Sequence, residues 1–471
     1  MLDDILDYTK DLRQRPVWQP IPGQISDSFH APLPHAGTPL SHLHQRFLSD
    51  IMPYSIGNAH PGFMGWVQGG GTPVGMVAEM LSAGLNANVG GRAQVPIAVE
   101  QQIQDWMREL FAFPDTAHGL FVTGSSIANL IAVLIARTKQ SGPQVRLDGI
   151  QHDGQKLTAY TSAGAHGCVS QAMDLAGFGS AALRQIPMNA AFQIDVNLLA
   201  ASIEADKAAG YMPFLIVGSA GTVDVGAIDD LSALAQLAER EQCWFHIDGA
   251  YGALGMFSST LAPRLAGIEL ADSIAFDFHK WGQVPYDAGY ILVRDAADQL
   301  ATFAAPANYL KRETRGMATG SPWPCDFGPD LSRGFRALKT WFTIAAYGAD
   351  KLGQIIDNTC ALAHYLQQQI ALHPELELMA PVNLNIVCFR YRPPSNLTPL
   401  QTNTLNSELV IRLQESGLVA PSSTLIAEQV VIRAAFVNHR TTGIDVDNLI
   451  VTTLRLGSEL LADSAHFLHK I

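Results

Sequence analysis

The chain lacks cysteine pairs, long apolar runs and any concentration of basic charge. Its five cysteines, Cys168, Cys243, Cys325, Cys360 and Cys388, stand singly and far apart, and no two share CxxC spacing. That spacing excludes a zinc knuckle and a thioredoxin-type motif, and an unstapled odd count suits a reducing compartment. No stretch reaches the roughly 18 to 20 apolar residues that a membrane helix needs. The first ten residues, MLDDILDYTK, are acidic and lack the basic-then-apolar order of a signal peptide. The expectation is a cytoplasmic protein with no membrane partner. Charged residues make up 15% of the chain, the formal net charge is −13, and the two signs are interspersed. Without a basic stripe, nucleic acid is not an expected partner. Histidine is frequent, but His30, His35, His42 and His44 lie in a proline-rich stretch with no HExxH spacing, so no metal site is expected. Gly69-Gly70-Gly71 is not followed by GK[ST], which removes a phosphate-binding loop of the nucleotide type.

Hydrophobic residues are 48% of 471, enough for a large α/β core and for surface hidden in a subunit interface. The length suggests two or three structural units. Residues 1–60 form a proline-rich arm that cannot build its own core, and it should pack on another surface such as a second subunit. Residues 61–348 alternate between helix and strand. Short apolar runs at Leu157–Thr161, Phe214–Val217, Trp244–Ile247, Ser273–Phe276 and Tyr290–Val293 are separated by helical stretches. This alternation predicts a mainly parallel sheet with helices on both faces, and ligands bind beyond the carboxyl ends of such strands. Residues 349–471 read as a smaller α+β domain.

The residues with chemistry fall at those strand ends. In AFDFHKWGQVPYDAGYILV, Lys280 follows an apolar strand and precedes Trp281. Alone, such a lysine more plainly reaches for solvent. Desolvated, it would have a depressed pKa and condense with an aldehyde. In HIDGAYGALG, Asp248 directly follows an apolar strand. It could simply cap a helix, or its carboxylate could hold the protonated nitrogen of a pyridine electron sink. An aspartate at one strand end and a lysine at the next, 32 residues later, is far more specific than either alone. In VTGSSIANLIAVLIAR, Ser125 and Ser126 open an apolar helix. Ordinary capping explains them, and so does a phosphate cup of free N–H groups and hydroxyls. His166, in AYTSAGAHGCVSQAMDLAGFG, is placed to stack on a flat ring, although a lone histidine is more often structural. Thr222, in SAGTVDVGAIDD, is a turn residue or a hydroxyl that reaches a cofactor.

Together these segments resemble the group II pyridoxal-phosphate-dependent decarboxylases, which act on aromatic amino acids, glutamate, histidine and cysteine sulfinate. The similarity covers most of the chain, through HPGFMGWV at 60–67, GSSIAN, AHGCV, HIDGAYG, FHKW with VPYDAG, LSRGFRALKTWF at 331–342 and NIVCFRY at 385–391. The resemblance implies a fold-type I, aspartate-aminotransferase-like architecture. That is a mainly parallel seven-stranded sheet with flanking helices plus a smaller α+β carboxyl-terminal domain. It further implies a homodimer with shared active sites, pyridoxal 5′-phosphate as cofactor and an amino acid as substrate. By the same resemblance Lys280 is the Schiff-base lysine, Asp248 contacts the pyridine nitrogen, His166 stacks on the ring and Ala250 packs beneath it. Ser125, Ser126, Asp277 and His279 would surround the phosphate, and Thr222 would lie near the cofactor. Trp66 would wall the substrate pocket, favouring an aromatic or bulky side chain, and 88–92 would reach the neighbouring site.

Two departures bear on chemistry. Ser125 and Ile127 replace the second glycine and the glutamate of the usual Gly-Gly-Ser-Glu-Ala-Asn turn. Animal aromatic decarboxylases carry a loop tyrosine that protonates the carbanion, whereas ETRGMATGSPWPCDFGP has none; Tyr309 lies earlier. An unprotonated carbanion can react elsewhere, including with oxygen. The expected reaction is therefore simple decarboxylation, with aldehyde synthesis as the alternative product route and an acidic amino acid as the alternative substrate.

Overall fold

The computed structural model describes residues 1–150, 154, 156–304, 312–393 and 397–467. Tyr309 lies outside them. Its strands are β1 (Phe63–Met64), β2 (His118–Val122), β3 (Leu157–Ser162), β4 (Leu183–Ile186), β5 (Met212–Ser219), β6 (Trp244–Asp248), β7 (Ser273–Asp277), β8 (Gly289–Val293), β9 (Leu376–Leu378), β10 (Ile386–Tyr391), β11 (Ala420–Ile426) and β12 (Gln429–Ala435). Contacts divide the chain into two units, Gly71–Asn358, and Met1–Gly70 with Thr359–Ile471.

In the unit Gly71–Asn358 the sheet has seven strands in the order β2-β8-β7-β6-β5-β3-β4. β8 runs antiparallel to β2 and β7, and the other neighbouring pairs are parallel. Every residue of β6, β7 and β8 is buried, as expected of strands with helices on both faces. The helix Ser125–Ser141 covers one face, where Ile131, Ala132 and Ile135 pack with Leu215, Val217, Ala275 and Ile291. Each such large aliphatic side chain contributes about 1.5–3 kcal/mol on burial. Gly289 opens β8 against the turn before that helix, and a Cβ there would lie 2.3 Å from the Gly124 Cα. Only glycine lets strand and turn touch backbone to backbone.

A buried ion pair fixes the flank of this sheet. Arg333 donates to Glu100 Oε2 at 2.9 Å, to the Val89 carbonyl at 3.1 Å and to the Phe121 carbonyl at 3.3 Å. It thereby joins the segment 88–92, β2 and the helix Val95–Leu110. Burial pushes the Glu100 carboxyl up, against the pull of Arg333.

The other unit holds a five-stranded sheet, β1-β11-β12-β10-β9, covered by helices that include Pro399–Glu415 and Gly443–Phe467. Leu409, Leu413, Ile432, Phe436 and Leu449 lie in its core. The amino-terminal residues lie on this unit. β1 adds to β11 in parallel, the Val17 N–H bonds to the Gly417 carbonyl at 2.8 Å, and Arg13 pairs with Asp445 at 2.8 Å. This division departs from the expected boundaries at 60 and 348, because the strand at Phe63–Met64 completes the carboxyl-terminal sheet. Trp66 therefore sits in this unit, half exposed, with φ at +31° and its ring 6.3 Å from that of Phe63. No helix among the described residues is long and apolar enough to cross a membrane, and the five cysteines are free.

Arg333→Met should leave the Glu100 carboxylate buried without its partner. The expected loss is about 3–5 kcal/mol, read as a fall in the urea midpoint at unchanged m-value.

Candidate active site

The carboxyl ends of β5, β6 and β7 converge. Ser219 and Asp248 close β5 and β6 as register partners, and Asp248 stands beside Ala275 of β7. β7 ends at Asp277, and the chain crosses the carboxyl edge through His279 and Lys280 before it returns as β8.

Asp277 is the hub of one cluster. It accepts from the Ser125 N–H at 2.7 Å, from the Ser125 hydroxyl at 2.8 Å and from the Lys280 Nζ at 2.8 Å. His279 Nδ1 accepts the Ala288 N–H at 3.0 Å, so its proton sits on Nε2, 3.7 Å from Asp277. The Tyr286 ring lies 4.3 Å from that of His279. Burial pushes the His279 pKa down, with Asp277 opposing it. Lys280 contradicts the expected depression of its pKa. Burial pulls it down, but contact with Asp277 and the nearby Asp248 together outweigh that pull and raise it. The desolvation anticipated from sequence is present; the second carboxylate was not anticipated.

Asp248 is 6% exposed. Its Oδ1 accepts the Ala250 N–H at 3.1 Å, and the Cys168 thiol lies 3.9 Å from Oδ2. Burial pushes its carboxyl pKa up, against the charges of Lys280 and His166 and the Ala250 N–H. His166 Nδ1 accepts the Cys168 N–H at 3.1 Å, which leaves Nε2 as its protonated nitrogen. Ser126 is exposed at the start of the helix Ser125–Ser141, where the Ile127 and Ala128 N–H groups bond to the Gly124 carbonyl. Ser125 lies beside it, with both of its donors on Asp277.

Thr222 is buried in the loop after β5, and its hydroxyl accepts the Ala227 N–H at 3.0 Å. That acceptor role leaves the O–H proton free to donate. Asp229 anchors this loop by accepting the Ile194 N–H at 2.7 Å and the Ser219 N–H at 2.8 Å. Asp229 was not singled out from sequence, where DD at 229–230 reads as a helix cap. Trp66 belongs to the other unit. Among the described residues no group of His, Cys, Asp or Glu could hold a metal.

Pyridoxal phosphate fits these residues. The buried Asp248 can hold a proton on a ring nitrogen, and Lys280 presents an amine. Ala250 is a small residue beside Asp248, and Ser126 presents an exposed side chain at a helix start, where an anion is favoured. The chain matches the model of the "Pyridoxal-dependent decarboxylase conserved domain" over residues 22–392. It is 33% identical to an aromatic-L-amino-acid decarboxylase of Bacillus atrophaeus, covering 98% of this chain and 94% of that one. It is 29% identical to an L-2,4-diaminobutyrate decarboxylase of Rhizobium meliloti, covering 94% and 87%. The fold superposes on a crystal structure of Oryza sativa TDC with PLP and tryptamine with a TM-score of 0.88, at 24% identity and 98% and 96% coverage. The chain belongs to the pyridoxal-dependent decarboxylase family, with the fold-type I architecture. Its cofactor is pyridoxal 5′-phosphate and its reaction is the removal of an amino acid's carboxylate.

Burial raises the Asp229 pKa to about 6. For an acid raised on folding, the stabilising contribution is complete below the unfolded value near 3.8 and is lost as pH rises through 6. Asp229→Asn should abolish this decline between pH 4 and 6. Urea unfolding of the two proteins across that window measures the difference.

Proposed function

We propose that the chain decarboxylates a bulky, aromatic L-amino acid to its amine, with Lys280 and Asp248 as the residues that grip the cofactor. The observation that carries this reading is a buried carboxylate and a lysine amine facing each other electrostatically from adjacent strand ends. The bound cofactor supplies an aldehyde for amines and a protonated ring that accepts the electron pair left by carbon dioxide. Lys280 would hold it covalently and yield it to the substrate amine. Asp248 would keep the ring nitrogen protonated. His166 would lie on the ring face with its Nε2–H available to return a proton at Cα. Ala250 would lie beneath the ring, and the Thr222 O–H would point to its oxygen substituent. Ser126, with the helix start and His279, would hold the phosphate, while Asp277 and Ser125 brace the lysine. The named activity of the Bacillus relative supports an aromatic side chain, the preference that Trp66 suggests from sequence.

One sequence feature favours a second product. The segment from Glu313 to Pro329 has no tyrosine; without a proton donor there, dioxygen and water would convert the decarboxylated substrate to an aldehyde, ammonia and hydrogen peroxide. The homodimer reading is supported by exposed apolar residues on the helix Pro73–Leu85, where Leu85 is 64% exposed, and at the start of the helix Val95–Leu110, where Val95 is 74% exposed. Free cysteines support a cytoplasmic location.

Borohydride reduction of the loaded enzyme should fix the cofactor on the Lys280 peptide, as read by mass spectrometry. Lys280→Ala should lose both this mass and turnover; retained turnover would overturn the assignment. Of the amino acids tested one by one, an aromatic one should release carbon dioxide and amine in equal amounts. Aldehyde, ammonia and peroxide in place of the amine, with carbon dioxide still released, would establish the aldehyde route.

A further inference from the structure

β6 has polar groups where an interior strand can least accommodate them. Alternate residues Trp244, His246 and Asp248 share one face of the strand, all are buried, and the register partner of His246 on β7 is the buried Ser273. Each polar atom there must find a partner or forfeit its hydration. They find one another in a line. Trp244 Nε1 donates to Ser273 Oγ at 2.8 Å, and Ser273 Oγ lies 2.8 Å from His246 Nδ1. His246 Nε2 lies 2.7 Å from Asn129 Oδ1, and Asn129 Nδ2 donates to Cys168 Sγ at 3.2 Å. The Cys168 thiol lies 3.9 Å from Asp248 Oδ2. Asn129 reaches the line because it is one helical turn beyond Ser125, on the same face.

The two ends fix the direction. An indole only donates and a carboxylate only accepts. Every contact then pairs one proton with one lone pair if Ser273 donates to Nδ1, Nε2–H donates to Asn129, and the thiol donates to Asp248. Reversal would put the His246 proton on Nδ1, towards Ser273 Oγ and the Ser273 carbonyl at 3.2 Å. It would also turn the Cys168 proton towards Asn129 and set a sulfur lone pair against the carboxylate. Burial keeps His246 neutral, with its pKa down to about 3. Burial followed by the charge of Asp248 raises the Cys168 pKa to about 12, so the proton stays on sulfur.

We infer that Trp244, Ser273, His246, Asn129 and Cys168 form a one-way hydrogen-bond line that ends on Asp248 and keeps it a carboxylate inside the core. Cys168, Asn129 and His246 are thus positioning residues for the ring-nitrogen contact. The inference rests on the proposed role of Asp248. The line works against burial together with the charges of Lys280 and His166 and the Ala250 N–H, whereas the charge of Asp277 adds to the effect of burial. A carboxylate that keeps its charge leaves the proton on the cofactor nitrogen, where it strengthens the electron sink.

The test uses the full-length protein with its cofactor. The infrared S–H stretch of Cys168, assigned by its loss in Cys168→Ser, should move to higher frequency in Asp248→Asn, because a neutral acceptor replaces a charged one. An unmoved band would mean that the thiol faces Asn129, and the inference fails. Separately, the pH below which cofactor affinity falls should rise by about one unit in Cys168→Ala. On that limb affinity should weaken about tenfold, the lower end for one hydrogen bond to a charged group. Cys168→Ser should stay near wild type, whereas a merely space-filling Cys168 would leave the pH profile in place in both variants. Borohydride trapping at Lys280 that succeeds while these signatures fail would sink the line but keep the proposed site. Failure of trapping would sink the site itself.

Discussion

The structure depends on a carboxylate kept in a dry place. Asp248 closes a fully buried strand, where an unpaired charge is among the costliest things a fold can hold. Its surroundings are accordingly specialised: a backbone N–H from Ala250, a thiol from Cys168, and the fields of Lys280 and His166. Remove the demand for a charged group there, and an apolar residue would serve the sheet better. The polar face of β6 makes sense only if the carboxylate has something to hold.

The single antiparallel strand serves the same end. Had β8 continued the parallel run, the chain after β7 would need a crossover helix to return to the far edge of the sheet. Because β8 turns back beside β7, residues 278–288 stay at the carboxyl edge, and Lys280 stays within reach of Asp248 and Asp277. The return also brings Gly289 against Gly124, so the lysine segment and the helix that opens at Ser125 are locked to each other. Asp277 completes the lock with a bond to each.

The parallel strands β3 and β5–β7, and the helices between them, were legible because each is a short apolar run bounded by glycine or polar residues. The strands β2 and β4 were not. HGLFV opens on a polar residue and glycine, and LRQI is an edge strand whose polar Arg184 and Gln185 are not buried, so neither shows the run of a buried strand. Lys280 and Asp248 could be found because a lysine and an aspartate at successive strand ends break an apolar pattern. His246 breaks it too, two residues before Asp248, and the period-two spacing W-x-H-x-D was available as a signal. Its partners were not. Asn129 and Cys168 lie 117 and 80 residues from the groups they join, and no local pattern connects such positions. The grouping of residues 1–70 with the carboxyl-terminal sheet was hidden for a similar reason, since the two-residue β1 gains its place only by pairing with β11.

Two carboxylates compete for one lysine, and their different bonding separates their work. Asp277 touches Lys280 directly and takes two further donors from Ser125, so it favours the ammonium and sets where the amine rests. Asp248 acts on the lysine through its charge, and its oxygens take the Ala250 N–H and the Cys168 thiol. An amine held as an ammonium is no nucleophile, so condensation with an aldehyde requires the proton to leave Lys280 while Asp277 keeps its two bonds from Ser125. Those bonds make that release tolerable: a buried carboxylate with two remaining donors is still solvated by the protein. Ser125, read from sequence as a phosphate ligand, also bears on the lysine, and it reaches it through Asp277.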